Sequence, residues 1–97
     1  MTDFELVKRC ADKMGLDLHS DQSEEIRYYG RGGTYLYNPL IDNAQAMALA
    51  KRFMLIVDFF AKYAAAPVSC KEDIRIYFDG ESETANRAIV ECVARMP

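Results

Sequence analysis

The segment from Ser82 to Met96 carries the most regular pattern of the sequence, with apolar residues at steps of three and four. These residues are Ala85, Ala88, Ile89, Cys92, Val93 and Met96. Their spacing predicts an α-helix with one apolar face, and Ser82 is the candidate residue for its N-cap. Such a face must be covered by a second layer of structure. The rest of the chain must therefore supply that layer.

Two earlier segments also predict helices. Thr2 and Glu5 have the spacing of a capping box, and Gly15 ends the pattern that follows them. The apolar positions of this first helix are Phe4, Leu6, Val7, Cys10, Ala11 and Met14. A second helix is predicted to begin at Asp42 or Asn43. Its apolar face consists of Ala46, Leu49, Ala50 and Phe53.

Four segments predict strands, and the clearest is DIRIYFD, residues 73–79. Ile74, Ile76 and Phe78 alternate there with polar residues or tyrosine, which is typical of a strand with one buried face. The apolar segment 54–60 predicts a more central strand, with a continuation of the second helix as the alternative. Between them, residues 61–72 predict a loop around Pro67, although their alanines could form a helical turn.

The other two strands, residues 24–29 and 34–38, flank a glycine-rich stretch from Gly30 to Gly33. A phosphate-binding loop needs a helix directly after its glycines, whereas a strand and then Asn38-Pro39 follow here. The stretch therefore predicts a β-hairpin turn, with Arg31 at its tip. Together these segments predict one α+β domain over residues 1–97, an about four-stranded sheet with three helices packed on it in the order αββαββα.

Composition excludes several kinds of protein. No apolar run reaches the roughly 20 residues of a membrane span, and the N-terminal residues lack a signal-peptide pattern, so we expect a cytoplasmic protein. The three cysteines are far apart, which disfavours a disulfide framework or a thiolate metal site. His19 is the only histidine and is expected to be an exposed loop residue. Without a nucleophile motif, a metal-ligand pattern or a phosphate loop, we predict no enzyme, no cofactor and no metal.

Two segments resemble the phage ABA-sandwich domain family. Residues 37–53, YNPLIDNAQAMALAKRF, are similar to its aromatic-Asn-Pro-Leu turn and the Ala- and Leu-rich helix after it. Residues 83–96, ETANRAIVECVARM, are similar to its closing helix, whereas residues 59–73 are longer than the hairpin expected there. The resemblance implies a short phage or prophage protein with no shared catalytic motif. Because Pro39 favours an extended residue before it, we predict a structural role for this turn.

Acidic residues are concentrated before the first hairpin and around the last strand, and the net charge is -3. The candidate partner-binding residues are Asp21, Glu24, Glu25, Arg31, Asp73, Asp79, Glu81 and Glu83. If the two regions adjoin in one sheet, their carboxylates form a negative stripe that suits a protein groove lined with Lys and Arg. The alternative is a solvated face that keeps a small protein soluble.

Length, acidity and the family resemblance together predict a phage or prophage accessory protein that binds a host protein or ribonucleoprotein complex. Its most specific form is an anti-CRISPR inhibitor, which occupies the basic DNA-binding groove of a type I surveillance complex, type I-F in particular, by resembling DNA. No direct binding to nucleic acid or membrane is expected. The alternative is a structural or regulatory phage module that self-associates through its aromatic hairpin. A nucleic-acid binder using Arg27, Arg31 and the tyrosines conflicts with the negative charge.

Overall fold

The computed structural model describes residues 1–19, 25–79 and 82–97. The elements in chain order are α1 (Asp3–Met14), β1 (Arg27–Gly30), β2 (Gly33–Leu36), α2 (Asn43–Arg52), β3 (Ile56–Asp58), β4 (Tyr63–Ala65), β5 (Arg75–Tyr77) and α3 (Ser82–Arg95). The predicted α+β class is confirmed. In the described part of the chain, no helix combines the length and the apolar character that a membrane span requires.

Helix α1 begins and ends at the predicted residues. The Thr2 hydroxyl accepts a hydrogen bond from the N–H of Glu5 at 3.2 Å, which satisfies one of the unpaired donors of the first turn. Gly15 ends the helix with φ of 73°, in the left-handed region that glycine adopts without steric cost. The buried side chains of the helix are Leu6, Val7, Cys10 and Ala11.

Strands β1 and β2 form the predicted hairpin. Gly30 lies opposite Gly33, so the turn consists of the two residues Arg31 and Gly32 rather than the predicted four. The Tyr35 hydroxyl donates to the Arg31 carbonyl across this turn. A Cβ at Gly30 would lie 2.8 Å from the Tyr35 ring, so this position requires glycine unless the ring moves. The glycines thus shape a turn and do not precede a helix.

The Asn-Pro-Leu segment has the predicted structural role. The side-chain carbonyl of Gln45 accepts the N–H of Asn38 at 2.6 Å, and its amide donates to the Leu36 carbonyl at 2.9 Å. The Asp42 carboxylate accepts the N–H of Gln45 at 3.0 Å and caps α2. One glutamine therefore ties the end of β2 to the first turn of α2.

The described strands form two antiparallel sheets instead of one. β1 and β2 make a two-stranded sheet, and β3, β4 and β5 make a three-stranded sheet in that order. The predicted single sheet of about four strands is therefore not confirmed, and the observed order is αββαβββα. Helix α2 separates the hairpin from β3 along the chain, and residues predicted as a loop form the additional strand β4.

Strand β4 is the centre of the three-stranded sheet, and β3, predicted to be more central, lies at its edge. Ala64 is 0 % exposed, and α3 packs on β4. Small side chains at this strand let the helix lie close to the sheet. Alanine is depleted in strands and common in helices, so the sequence carried no strand signal here.

Helix α3 is the central element of the core, because it contacts α1 and α2 as well as β4 and β5. Its predicted apolar face is buried, apart from a partly exposed Met96, and so are Val90 and Ala94 outside that face. The Cys10 thiol donates to the Val90 carbonyl at 3.5 Å. Burial raises the pKa of Cys10 to about 12 and that of Cys92 to about 11, so both thiols stay protonated at neutral pH.

Candidate functional site

The residues predicted to bind a partner lie in different parts of the fold. Glu25 is exposed just before β1, where its carboxylate is 3.5 Å from the Arg27 guanidinium. Arg31 is exposed at the hairpin turn, and Glu83 belongs to the first turn of α3. The residues of the set that lie outside the described part of the chain are Asp21, Glu24 and Glu81.

Asp73 and Asp79 are the two described acids of this set that flank one strand, β5, and both are exposed. No ladder between described strands joins β5 to the hairpin that follows Glu25. The predicted negative stripe required the two acidic regions to adjoin in one sheet. The described residues do not show this arrangement. What the structure does bring together is a surface around β5.

The three-stranded sheet has one face on the core and one face that is partly exposed, with Ala65 buried on it. Val57, Ala64 and Ile76 oppose one another across the strands and belong to the core or pack against it. The opposite face, called the outer face here, consists of Ile56, Asp58, Tyr63, Ala65, Arg75 and Tyr77, with Asp73 and Asp79 at the two ends of β5. The alternation predicted for residues 73–79 is thus confirmed.

Arg75 is held within an aromatic group on the outer face. Its guanidinium carbon lies 4.7 Å from the centroid of the Tyr63 ring, and the Tyr63 and Tyr77 centroids are 6.0 Å apart. A side-chain hydrogen bond with Tyr77 is the main cause that raises the pKa of Arg75 above its usual range. Tyr77 is nevertheless 67 % exposed. The group is therefore positioned before any partner binds, which reduces the entropy lost on binding.

Phe60 projects from the turn between β3 and β4 and is 96 % exposed. The Asp58 carboxylate accepts the N–H groups of Phe60 and Ala61 at 2.9 and 2.8 Å. Lys62 closes the turn with φ of 63°, a conformation that costs a non-glycine residue about 1–2 kcal/mol. This fixed turn joins Asp58 to Tyr63, two residues of the outer face, and it presents a large apolar side chain to solvent.

A groove of about 550 Å³ lies between the first turns of α1 and α3 and the base of the hairpin. Its apolar lining residues are Phe4, Val7, Ile26, Leu36, Leu40 and Ile41. At its rim, Arg87 lies 2.9 Å from the Asp3 carboxylate, and Glu25 pairs with Arg27. The described charged groups of the groove therefore pair with each other or with Arg27.

Tyr37 lines this groove with its ring but has no hydrogen-bond partner for its hydroxyl in the described part of the chain. The side chain is 4 % exposed, and burial, with smaller effects of Cys10 and Tyr28, raises its pKa.

We expect Tyr37→Phe to raise the free energy of unfolding by about 1 kcal/mol, because it removes a buried polar group that gains no bond on folding. Urea denaturation measures this change, with Tyr35→Phe, which loses a bond, as the control. A destabilised Tyr37→Phe would mean that the hydroxyl has a partner.

The described side chains include His19 and the free cysteines Cys10, Cys70 and Cys92. They contain no group of three or more His, Cys, Asp or Glu residues placed to hold a metal ion. His19 differs from its prediction, because it is partly buried and its ring centroid lies 5.4 Å from that of Tyr29. Its position is that of a packed side chain at the base of the hairpin.

Sequence reasoning missed the aromatic part of the outer face. Tyr63 lay in a segment predicted as a loop, so its contact with Arg75 across two strands was not foreseen. Phe60 was assigned to a strand instead of a turn. The Asp58 side chain accepts hydrogen bonds from the N–H groups two and three residues later in the chain. An aspartate in this position is typical of a turn, and this signal could have placed Phe60 correctly.

Comparisons with family models, with curated proteins and with solved structures find no match for this chain. The resemblance to the phage ABA-sandwich domain family stays a prediction from the sequence. The outer face, with its aromatic group, its exposed turn and its two flanking acids, is the candidate functional site.

Proposed function

We propose that this protein is a non-enzymatic binding protein that attaches to a host protein complex through its outer face. The observation that carries the proposal is the group of Arg75, Tyr63 and Tyr77 on the outer face, in which Arg75 and Tyr77 are exposed, together with the exposed Phe60 in the turn before β4. Tyrosine and arginine are enriched among the residues that dominate binding energy at protein interfaces. A contiguous exposed group of this kind is a typical sign of a surface that a partner covers.

The two acids of the outer face indicate the charge of the partner. Asp73 and Asp79 are exposed at the two ends of β5, and the net charge of -3 disfavours nucleic acid as the partner. A groove lined with Lys and Arg complements them. In the narrower form of the proposal, the protein acts inside a host cell and enters the basic DNA-binding groove of a type I surveillance complex. Arg75 lies between the two acids, and its positive charge reduces their attraction to a basic groove. Contacts of the aromatic side chains must therefore contribute to the binding energy as well.

The double charge reversal Asp73→Lys/Asp79→Lys tests this narrower form. We expect it to weaken binding to a type I surveillance complex by about a hundredfold, because two attractive contacts with a basic groove become repulsive. Titration at two salt concentrations measures the loss, and the parent's affinity should fall as salt rises. The parent should also compete with target double-stranded DNA for the complex.

Asp12→Lys/Asp17→Lys is the matched control, because it changes the net charge equally at two exposed acids outside the outer face. It should retain most of the binding. If the folded Asp73→Lys/Asp79→Lys variant binds like the parent, the acids are a solvated face and the DNA-mimicking form is wrong. If Phe60→Ala/Tyr77→Ala also binds like the parent, the outer face is not the site. A stable homo-oligomer that ignores the complex would support the self-associating phage module instead.

A further inference from the structure

Strand β5 is an edge of the three-stranded sheet, and its hydrogen bonds show which residues face β4. The Ile74 carbonyl accepts the N–H of Ala66 at 2.9 Å, and the N–H of Phe78 donates to the Lys62 carbonyl at 3.0 Å. Ile74 and Phe78 thus direct these backbone groups to the β4 side. Ile76, two residues from each, does the same, because backbone direction alternates along a strand.

Arg75 and Tyr77 direct their backbone N–H and C=O groups to the opposite side. Among residues 1–19, 25–79 and 82–97, no strand pairs with β5 on that side. The side chains of the same two residues stand on the outer face, and both are exposed. The open edge therefore combines unpaired backbone groups with the positioned aromatic and cationic side chains of the candidate site, which makes it a template for another strand.

The charges along this edge disfavour a second copy in the register that pairs the whole edge from Asp73 to Asp79. Asp73, Arg75, Tyr77 and Asp79 follow one another on the outer face as acid, base, aromatic and acid. If two copies paired antiparallel with Arg75 opposite Tyr77, Asp73 of each would lie opposite Asp79 of the other. Like charges directly opposite destabilise a strand pair. The same two acids favour a foreign strand that carries a basic residue at each end.

We propose that the β5 edge takes an extended, basic segment of the partner as an added antiparallel strand. The inference rests on the proposed function, since this segment belongs to the complex that the outer face contacts. Lys or Arg lies opposite Asp73 and Asp79, an acid opposite Arg75, and an aromatic or β-branched residue opposite Tyr77. Read from its N-terminus, the segment has a basic residue at its first and seventh positions, an apolar residue at the third and an acidic residue at the fifth. The positions between them can hold any residue. Its main chain supplies affinity and its alternate side chains supply specificity.

A labelled seven-residue peptide, Lys-Thr-Ile-Thr-Glu-Thr-Lys, tests the inference by fluorescence anisotropy. We expect saturable binding that falls about tenfold or more when both lysines become glutamates. The Asp73→Lys/Asp79→Lys protein should bind that acidic peptide better than the parent does. N-methylation of the third and fifth amides, which face β5, should abolish binding, whereas N-methylation of the fourth should not. Equal effects at all three amides, or no binding of the unmodified peptide, would overturn strand addition.

The protein supplies a second test through Tyr77, whose N–H faces the open edge. Tyr77→Pro removes that N–H without breaking a bond to β4, whereas Tyr77→Ala removes the ring and keeps the N–H. We expect the proline variant to bind the partner complex about tenfold more weakly than the alanine variant, with circular dichroism as the check that both are folded. Equal affinities of the two folded variants overturn strand addition.

The two proposals fail in different ways. Strand addition is wrong and the proposed function stands if Asp73→Lys/Asp79→Lys weakens binding to the complex while the two Tyr77 variants bind equally. If the peptide binds with the expected pattern and the surveillance complex does not bind, the edge is a strand-binding site and the proposed partner is wrong.

Discussion

Replacing Ile89 by aspartate is expected to lower the free energy of unfolding by about 4 kcal/mol or more, because an unpaired buried carboxylate is costly. Ile89 is 1 % exposed on α3, which packs against both helices and the sheet. A loss of this size removes most of the stability of a small domain, typically about 5–15 kcal/mol. Thermal and urea unfolding followed by circular dichroism measure it.

The matched control places the same carboxylate on a helix surface. Ala48 is exposed in α2, so Ala48→Asp should cost less than about 1 kcal/mol, most of it helix propensity. Ile89→Val should fall between the two, near 1 kcal/mol, since it removes about one buried methylene. An Ile89→Asp protein that melts at the parent's temperature would show that α3 is not buried on this side.

Enlarging Ala64 to leucine is expected to destabilise the protein by about 3 kcal/mol, near the upper end for overpacking of a core. Ala64 is fully buried between Val57 and Ile76 of the neighbouring strands, on the face that packs against α3. A leucine there has no space unless the helix moves away from the sheet. Urea denaturation gives the change in the free energy of unfolding.

Ala61→Leu provides the comparison, because Ala61 is exposed in the turn three residues earlier. Its effect should stay within about 0.5 kcal/mol, as for an ordinary surface substitution. If Ala64→Leu costs no more than Ala61→Leu, β4 is not packed beneath α3 and the sheet's inner face is open.

The helices could be predicted because their signals are local. Thr2 caps the start of α1 and Gly15 ends this helix, each through hydrogen bonds to residues within about one turn of the chain. Asp42 caps the start of α2 in the same way. The spacing of apolar residues also identified the buried face of each helix. It could not show that α3 is buried beyond that face, at Val90 and Ala94, because this depends on where the sheet lies.

The division into two sheets could not be predicted, because strand pairing is a contact between distant residues. Residues Tyr63–Ala65 form strand β4 because they pair with both β3 and β5, although alanine is a poor strand former. Without β4, the remaining strands suggested one sheet. The alternation of Asp73 and Asp79 with the buried Ile74 was local and was predicted correctly, whereas the contact of Arg75 with Tyr63 needed the pairing.

The position of α3 in the fold affects how the protein is made. The Cys10 thiol meets the Val90 carbonyl, a contact between residues 80 positions apart in the chain. While the ribosome still holds α3 in its exit tunnel, α1, α2 and the sheet lack the surface on which they pack. The hairpin and α1 can form local contacts during synthesis, but the core must assemble after residue 95 has emerged. Until then, apolar residues that α3 later covers stay accessible to chaperones and proteases.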